Sequence, residues 1–158
     1  MRTVFDITID FKKSKGSYLY DKKTGKRFLD LFSMFSSLPL GYNHAIFDGS
    51  FDEKIKHIAH LRMSNNLFSS EEMMDFESKF QEISFHKNLH FCSTGALAVE
   101  AALKCAFEYT KNPEAIVLGV KNSFHGRTIA AIYASGSKKM TEGFGPKVAG
   151  FDHFDFGN

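Results

Sequence analysis

His90-Phe91-Cys92-Ser93-Thr94-Gly95-Ala96-Leu97-Ala98-Val99-Glu100-Ala101-Ala102-Leu103-Lys104-Cys105-Ala106-Phe107-Glu108-Tyr109-Thr110 is the stretch on which the fold turns. A short apolar run, read as a strand, enters a turn of small residues, and a helix is expected from there to about Thr110. Leu97, Val99, Leu103, Phe107 and the alanines at 96, 98, 101, 102 and 106 make that helix apolar nearly all round. Its polar stripe is Glu100, Lys104 and Glu108, with Glu100 placed to pair with Lys104 one turn on. So narrow a wet edge requires cover on most sides. Beyond it, Ala115 to Gly119 reads as a buried strand, and Ser123 to Arg127 as a loop opening a helix to Ala134. Strand, helix, strand in this order is the pattern of a parallel α/β sheet.

Working back toward the N-terminus, Ser69 with Glu72 has the capping-box spacing, and Met73, Phe76, Phe80 and Ile83 then line one helical face. Phe51, Ile55, Ile58 and Leu61 recur at helical spacing as well. Residues 17–20 and 27–32 are strand-like, and Asp21-Lys22-Lys23-Thr24-Gly25-Lys26 between them supplies a hairpin turn. Ser33 to His44, with Pro39 and Gly41, is too broken for a regular element. At the other end, Phe154-Asp155-Phe156-Gly157-Asn158 reads as strand-and-loop material with no closing helix, so a continuation of the chain is expected.

Bulk properties narrow the function. Of 158 residues, 43% are hydrophobic, enough for a core. Twenty basic against 18 acidic residues give a formal charge of +2, too little for the dense basic face of a nucleic-acid binder. No run approaches the roughly 20 apolar residues of a membrane helix, and Met1 to Asp10 does not read as a signal peptide. Cys92 and Cys105, both among apolar neighbours, fit a reducing compartment, so a cytoplasmic location is expected.

Three places could carry chemistry. The small residues Ser93-Thr94-Gly95-Ala96 let a ligand approach the backbone, and free amides at a helix N-terminus suit a phosphate. No acid occupies that first turn, which leaves the position open to another anion; a plain Ser/Thr cap fits the same pattern. In Ser123-Phe124-His125-Gly126-Arg127-Thr128, an aromatic follows a parallel strand, where ligands bind in open α/β sheets. Phe124 could stack on a planar ring with His125 bordering it, or the two could be a packed Phe and a surface His. Phe35-Ser36-Ser37-Leu38-Pro39-Leu40-Gly41-Tyr42-Asn43-His44 could wall a substrate or serve as an ordinary structural loop. The pairs His57/His60 and His86/His90 have no third ligand at a metal-site spacing. There is no nucleophile–His–acid triad and no Walker-type loop.

Taken together these segments resemble the class III aminotransferases of the ornithine, 4-aminobutyrate and lysine 6-aminotransferase type. The hairpin from Gly16 to Asp30, the loop Leu38-Pro39-Leu40-Gly41-Tyr42-Asn43-His44, the turn and helix from Ser93 to Lys104, and Ser123 to Thr128 are each similar to a family motif, in order. The resemblance implies an α/β chain, the N-terminal portion of the type I fold of pyridoxal-phosphate enzymes. Residues 1–48 would be a small-domain segment and 49–158 the first, incomplete part of the large cofactor-binding domain. Carried over, it implies that Gly95 and Ala96 hold the phosphate of pyridoxal 5'-phosphate beside Thr94. Phe124 would lie against its ring, His125 would border the site, and Ser36 and Ser37 would bind substrate.

The implied reaction moves a terminal amino group, from a lysine 6-amino or 4-aminobutyrate-like donor, to 2-oxoglutarate, in a homodimer when full-length. Ala96-Leu97 departs from the polar residue and glutamate of many members, which removes a hydroxyl contact to phosphate. The family's Schiff-base lysine and the aspartate that faces the pyridine nitrogen match nothing here, and Lys138, Lys139 and Lys147 lack the setting of a buried lysine. The chain thus reads as half a site, inactive alone. Its alternatives are a non-catalytic remnant, a subunit dependent on a partner, an aminomutase or racemase of the same fold, and a domain binding another phosphate ligand.

Overall fold

Between Tyr20 and Arg27 the chain reverses on a carboxylate. The computed structural model describes residues 5–60 and 68–157, which fall into two units, Met1–Ser69 and Ser70–Asn158. In the first, β1 (Tyr18–Tyr20) pairs antiparallel with β2 (Arg27–Leu29), Leu19 opposite Phe28, as the hairpin pattern predicts. Buried Asp21 accepts the amides of Thr8 (2.9 Å), Lys23 (3.2 Å) and Thr24 (3.0 Å) and the Thr24 hydroxyl (2.6 Å). These bonds, the Thr24 hydroxyl foremost, hold its pKa down at about 2.

The segment after β2 is less ordinary. Ser33–Ser36 forms α1, a single turn wound left-handed, with φ of 47, 48, 56 and 65° at four non-glycine residues in succession. Such a conformation costs roughly 1–2 kcal/mol per residue. Asp30 accepts the amides of Phe32 (2.8 Å) and Ser33 (2.9 Å) at its start. The other Asp30 oxygen takes the Tyr42 hydroxyl at 2.8 Å. Burial pushes the Tyr42 phenol up to about 12, with Asp30 adding to the shift. On Asp30 burial also pushes upward, but the bonds from Tyr42, Ser33 and Phe32 outweigh it, leaving its pKa lowered.

Gly41 and Asn43, flanking Tyr42, have fixed duties. Gly41 has φ +73°, and a Cβ there would run into the backbone of Gly16, which exchanges two hydrogen bonds with Tyr42 at 2.8 and 2.9 Å. Asn43 donates to the carbonyls of Phe11 and Ser14. The Gly-Tyr-Asn run is therefore a structural lock. Helix α2 (Ser50–Ile58) follows; the expected position of Leu61 lies outside the described residues.

In the second unit, α3 (Glu71–Ile83) starts one residue later than the capping-box reading. Ser70, not Ser69, is the cap, its hydroxyl accepting the Met73 amide at 3.2 Å. Phe76 and Phe80 close on Phe91, with ring centroids 5.0 and 5.7 Å from it. The run 90–92 is not a strand, because no described residue pairs with its backbone. Helix α4 (Gly95–Thr110) runs as expected and closes on Lys111 in the left-handed conformation. β3 (Val117–Val120) lies parallel to β4 (Phe151–Phe154), joined through α5 (Ile129–Ala134) and α6 (Lys138–Thr141), the α/β arrangement the order of elements implies.

The core of this unit is α5. Ala131, Ile132, Tyr133 and Ala134 are buried, whereas α4 has no buried residue. Among the described helices and strands α4 packs against α5, with the loop before α5 on its first turn, and its other faces are largely exposed.

Asp21 gives a pH prediction. A carboxyl with folded pKa about 2 against 3.8 unfolded stabilises the fold fully above 3.8, and that stabilisation is lost as pH falls through about 2. Thermal unfolding between pH 4 and 2 should therefore fall more steeply for the unsubstituted protein than for Asp21→Asn. Parallel curves would remove the role given to the Asp21 charge.

Candidate active site

Helix α4 begins at a threonine. Thr94 has extended backbone angles (φ −147°, ψ 156°), and its Oγ1 accepts the Leu97 amide at 3.2 Å, which stabilises the helix start by about 1 kcal/mol. The Thr94 hydroxyl proton is not consumed by that bond. The amides of Gly95 and Ala96 have no acceptor among the described residues. A Cβ built on Gly95 meets nothing within 4 Å, so the space in front of the turn is open. No acid stands in the first turn. Two free amides, a hydroxyl and the positive end of a helix of 16 residues fit a phosphate.

The loop after β3 comes to the same place. Gly126 is buried with φ +140°, and a Cβ on it would stand 2.7 Å from the Ala96 Cβ and 3.1 Å from that of Ala131. The loop backbone thus lies directly on the first turn of α4 at Ala96, one residue from His125 and two from Phe124. The ring of Phe124 is 59% exposed, available to a planar ligand rather than packed in the core.

His125 is pinned from two sides. Its amide donates to Ser135 Oγ at 2.9 Å, and its Nε2 lies 3.2 Å from Ser123 Oγ. Ser123 donates its one proton to the Ser135 carbonyl at 3.1 Å, so in the contact between them Nε2 carries the hydrogen. Ser135 is fully buried and donates in turn to the Ala131 carbonyl at 2.8 Å.

Ser36 and Ser37 belong to the first unit. Ser36 closes the left-handed turn, and Ser37 Oγ donates to the Met34 carbonyl at 2.7 Å. Strained backbone of this kind persists where surrounding bonds over-determine it and is concentrated at functional sites. His44, expected near the substrate wall, caps the turn Ala45–Phe47 by accepting the Ile46 amide at 3.1 Å.

Sequence reasoning missed Ser135, the contact of Gly126 with Ala96 and the true partner of Glu100. Glu100 does not pair with Lys104; its Oε1 accepts the Thr128 hydroxyl at 2.5 Å and the Ala131 amide at 3.2 Å. Local spacing carries no signal for a bond reaching 28 residues along the chain.

A capped helix start and a glycine-backed aromatic loop stand together on a parallel α/β unit. The chain belongs to the class-III aminotransferase family, whose model matches residues 2–158. It is 33% identical over 160 residues to the acetylornithine aminotransferase of Prochlorococcus marinus subsp. pastoris, covering 99% of this chain and 38% of that protein. It is 36% identical over 149 residues to the acetylornithine aminotransferase of Bacillus cereus, covering 94% and 37%. The structure of a lysine aminotransferase from M. tuberculosis superposes with a TM-score of 0.84 at 31% identity, covering 98% of this chain and 39% of that one. The chain thus spans about 38% of the length of the curated relatives it matches. These likenesses bear out the type I aminotransferase fold expected from the motifs. Among the described residues no helix is long and apolar enough to cross a membrane.

The approach of Gly126 to Ala96 is directly testable. Gly126→Ala adds a Cβ with no room, so it should destabilise the intact protein by about 1–3 kcal/mol in urea unfolding. An unchanged midpoint would mean that the loop does not rest on α4.

Proposed function

We propose that this chain supplies the phosphate cradle and ring wall of a pyridoxal-phosphate-dependent transaminase. The observation that carries the reading is the pair of free amides at Gly95 and Ala96, with the exposed Phe124 on the loop that Gly126 seats against Ala96. In this reading the two amides and the Thr94 hydroxyl bind the cofactor phosphate. Backbone donors suffice, which is why Ala96 can stand where many members of the family have a hydroxyl. Phe124 stacks on the cofactor ring, and His125, its ring turned by Ser123, borders it. When bound, pyridoxal phosphate supplies the electron sink that transamination requires.

We assign Ser36 and Ser37 to substrate binding, the left-handed turn being their support. For the reaction we propose transfer of a terminal amino group, from a lysine 6-amino or 4-aminobutyrate-like donor, to 2-oxoglutarate. Relatives named for acetylornithine and for lysine support a donor with a second amino group far from its carboxylate. A cytoplasmic homodimer is the proposed setting.

The test is Phe124→Ala in the intact protein, with pyridoxal phosphate and inorganic phosphate titrated separately. Loss of a stacked ring is worth about 0.5–1.5 kcal/mol, so pyridoxal phosphate affinity should fall about twofold to thirteenfold. Affinity for inorganic phosphate should not change. Equal losses for both ligands, or none for either, would take the stacking role from Phe124.

A further inference from the structure

Helix α5 is only six residues long and contains no acid or base. Helices shorter than about 12–15 residues are marginal alone, so α5 depends on what holds its ends. Its own cap does not hold it. Thr128 has the extended backbone of a cap (φ −74°, ψ 164°), yet its side chain makes no bond to its own helix. Its hydroxyl donates instead to Glu100 Oε1 at 2.5 Å, and the same oxygen accepts the Ala131 amide at 3.2 Å. Ala131 sits at the position whose amide a capping side chain ordinarily satisfies. A carboxylate from α4 therefore performs the capping, and its charge faces the positive end of α5.

What α5 holds is the loop. Ser135, directly after α5, accepts the His125 amide on its hydroxyl and the Ser123 hydroxyl on its carbonyl. Gly126 rests on both Ala96 and Ala131. One end of α5 is clipped to the loop and the other to Glu100, less than two turns beyond the free amides of Gly95 and Ala96.

We propose that Glu100 is a positioning residue: its carboxylate fixes α5 and so holds the loop bearing Phe124 and His125 at the N-terminus of α4. The consequence for ligand binding rests on the reading of Thr94, Gly95, Ala96 and Phe124 as cofactor-binding residues. Glu100 then acts on recognition of the ring and leaves the phosphate amides, which belong to its own helix, in place.

The experiment compares Glu100→Ala, Glu100→Gln and Thr128→Val in the intact protein. Hydrogen exchange is followed across 123–131 and across β3 and β4, with separate titrations of pyridoxal phosphate and inorganic phosphate. Glu100→Ala and Thr128→Val should speed exchange over 124–131 about tenfold and leave the two strands unchanged. Pyridoxal phosphate should bind several-fold more weakly while inorganic phosphate is retained, and Glu100→Gln, which keeps Oε1, should restore both. Thr128→Val decides the matter where Glu100→Ala does not fold. Unchanged exchange over 124–131, or faster exchange with unchanged pyridoxal phosphate affinity, overturns the proposal. Failure of the cofactor reading looks different. The unsubstituted protein then binds neither ligand, while faster exchange in Glu100→Ala still supports the holding role.

Discussion

Position 126 has no room for a side chain, and the arrangement of the site follows from that. The backbone of Gly126 lies on the Ala96 Cβ, in a conformation (φ +140°) that side-chain-bearing residues rarely adopt. Because backbone rather than side chain meets the helix, the loop that carries Phe124 and His125 comes down onto the first turn of α4. The same approach leaves the Phe124 ring outward instead of spending it on the core. A larger residue at 96 or 126 would separate the ring wall from the anion cradle.

Hydrogen-bonded polar groups set the shape of both units. Ser14, Asp21 and Ser135 are buried, and each serves several backbone groups at once. Asp30 and Tyr42 steady the strained turn of Ser36, and Glu100 steadies α5. Buried hydrogen bonds of this sort specify one geometry, since leaving any partner unsatisfied costs more than the bond contributes. Apolar burial is modest by comparison and gathers on α5 and Tyr42. The apolar circumference of α4 leaves Leu97 45% and Tyr109 89% exposed.

The legible part of the fold was the part written in local patterns. Strand-like runs on either side of the Asp21–Lys26 turn gave the hairpin, helical spacing gave α3 and α4, and small residues at 94–96 marked a helix start open to an anion. Segment 90–92 read as a strand because composition cannot show whether a neighbouring strand exists. Ser69 and Ser70 both suit a cap, and one-residue ambiguity of this kind is inherent in adjacent serines. The left-handed turn at 33–36 has no signature, since its residues are not glycine and it is held at its start by Asp30, itself bonded to Tyr42. Glu100 looked like a solvent-facing partner of Lys104, because its true partners come from another element of the chain. Phe124 and Gly126 were visible as motif residues, but their closeness to Ala96 is tertiary.

The central claim is that the N-terminus of α4 is an anion cradle made of backbone. An amide-resolved NMR titration of the intact protein with inorganic phosphate tests it most directly. The account predicts saturable downfield shifts of the Gly95 and Ala96 amide protons, with Leu97, already bonded to Thr94, moving least among the first-turn amides. Phosphate that leaves Gly95 and Ala96 unmoved, or shifts surface lysines without saturating, would contradict it.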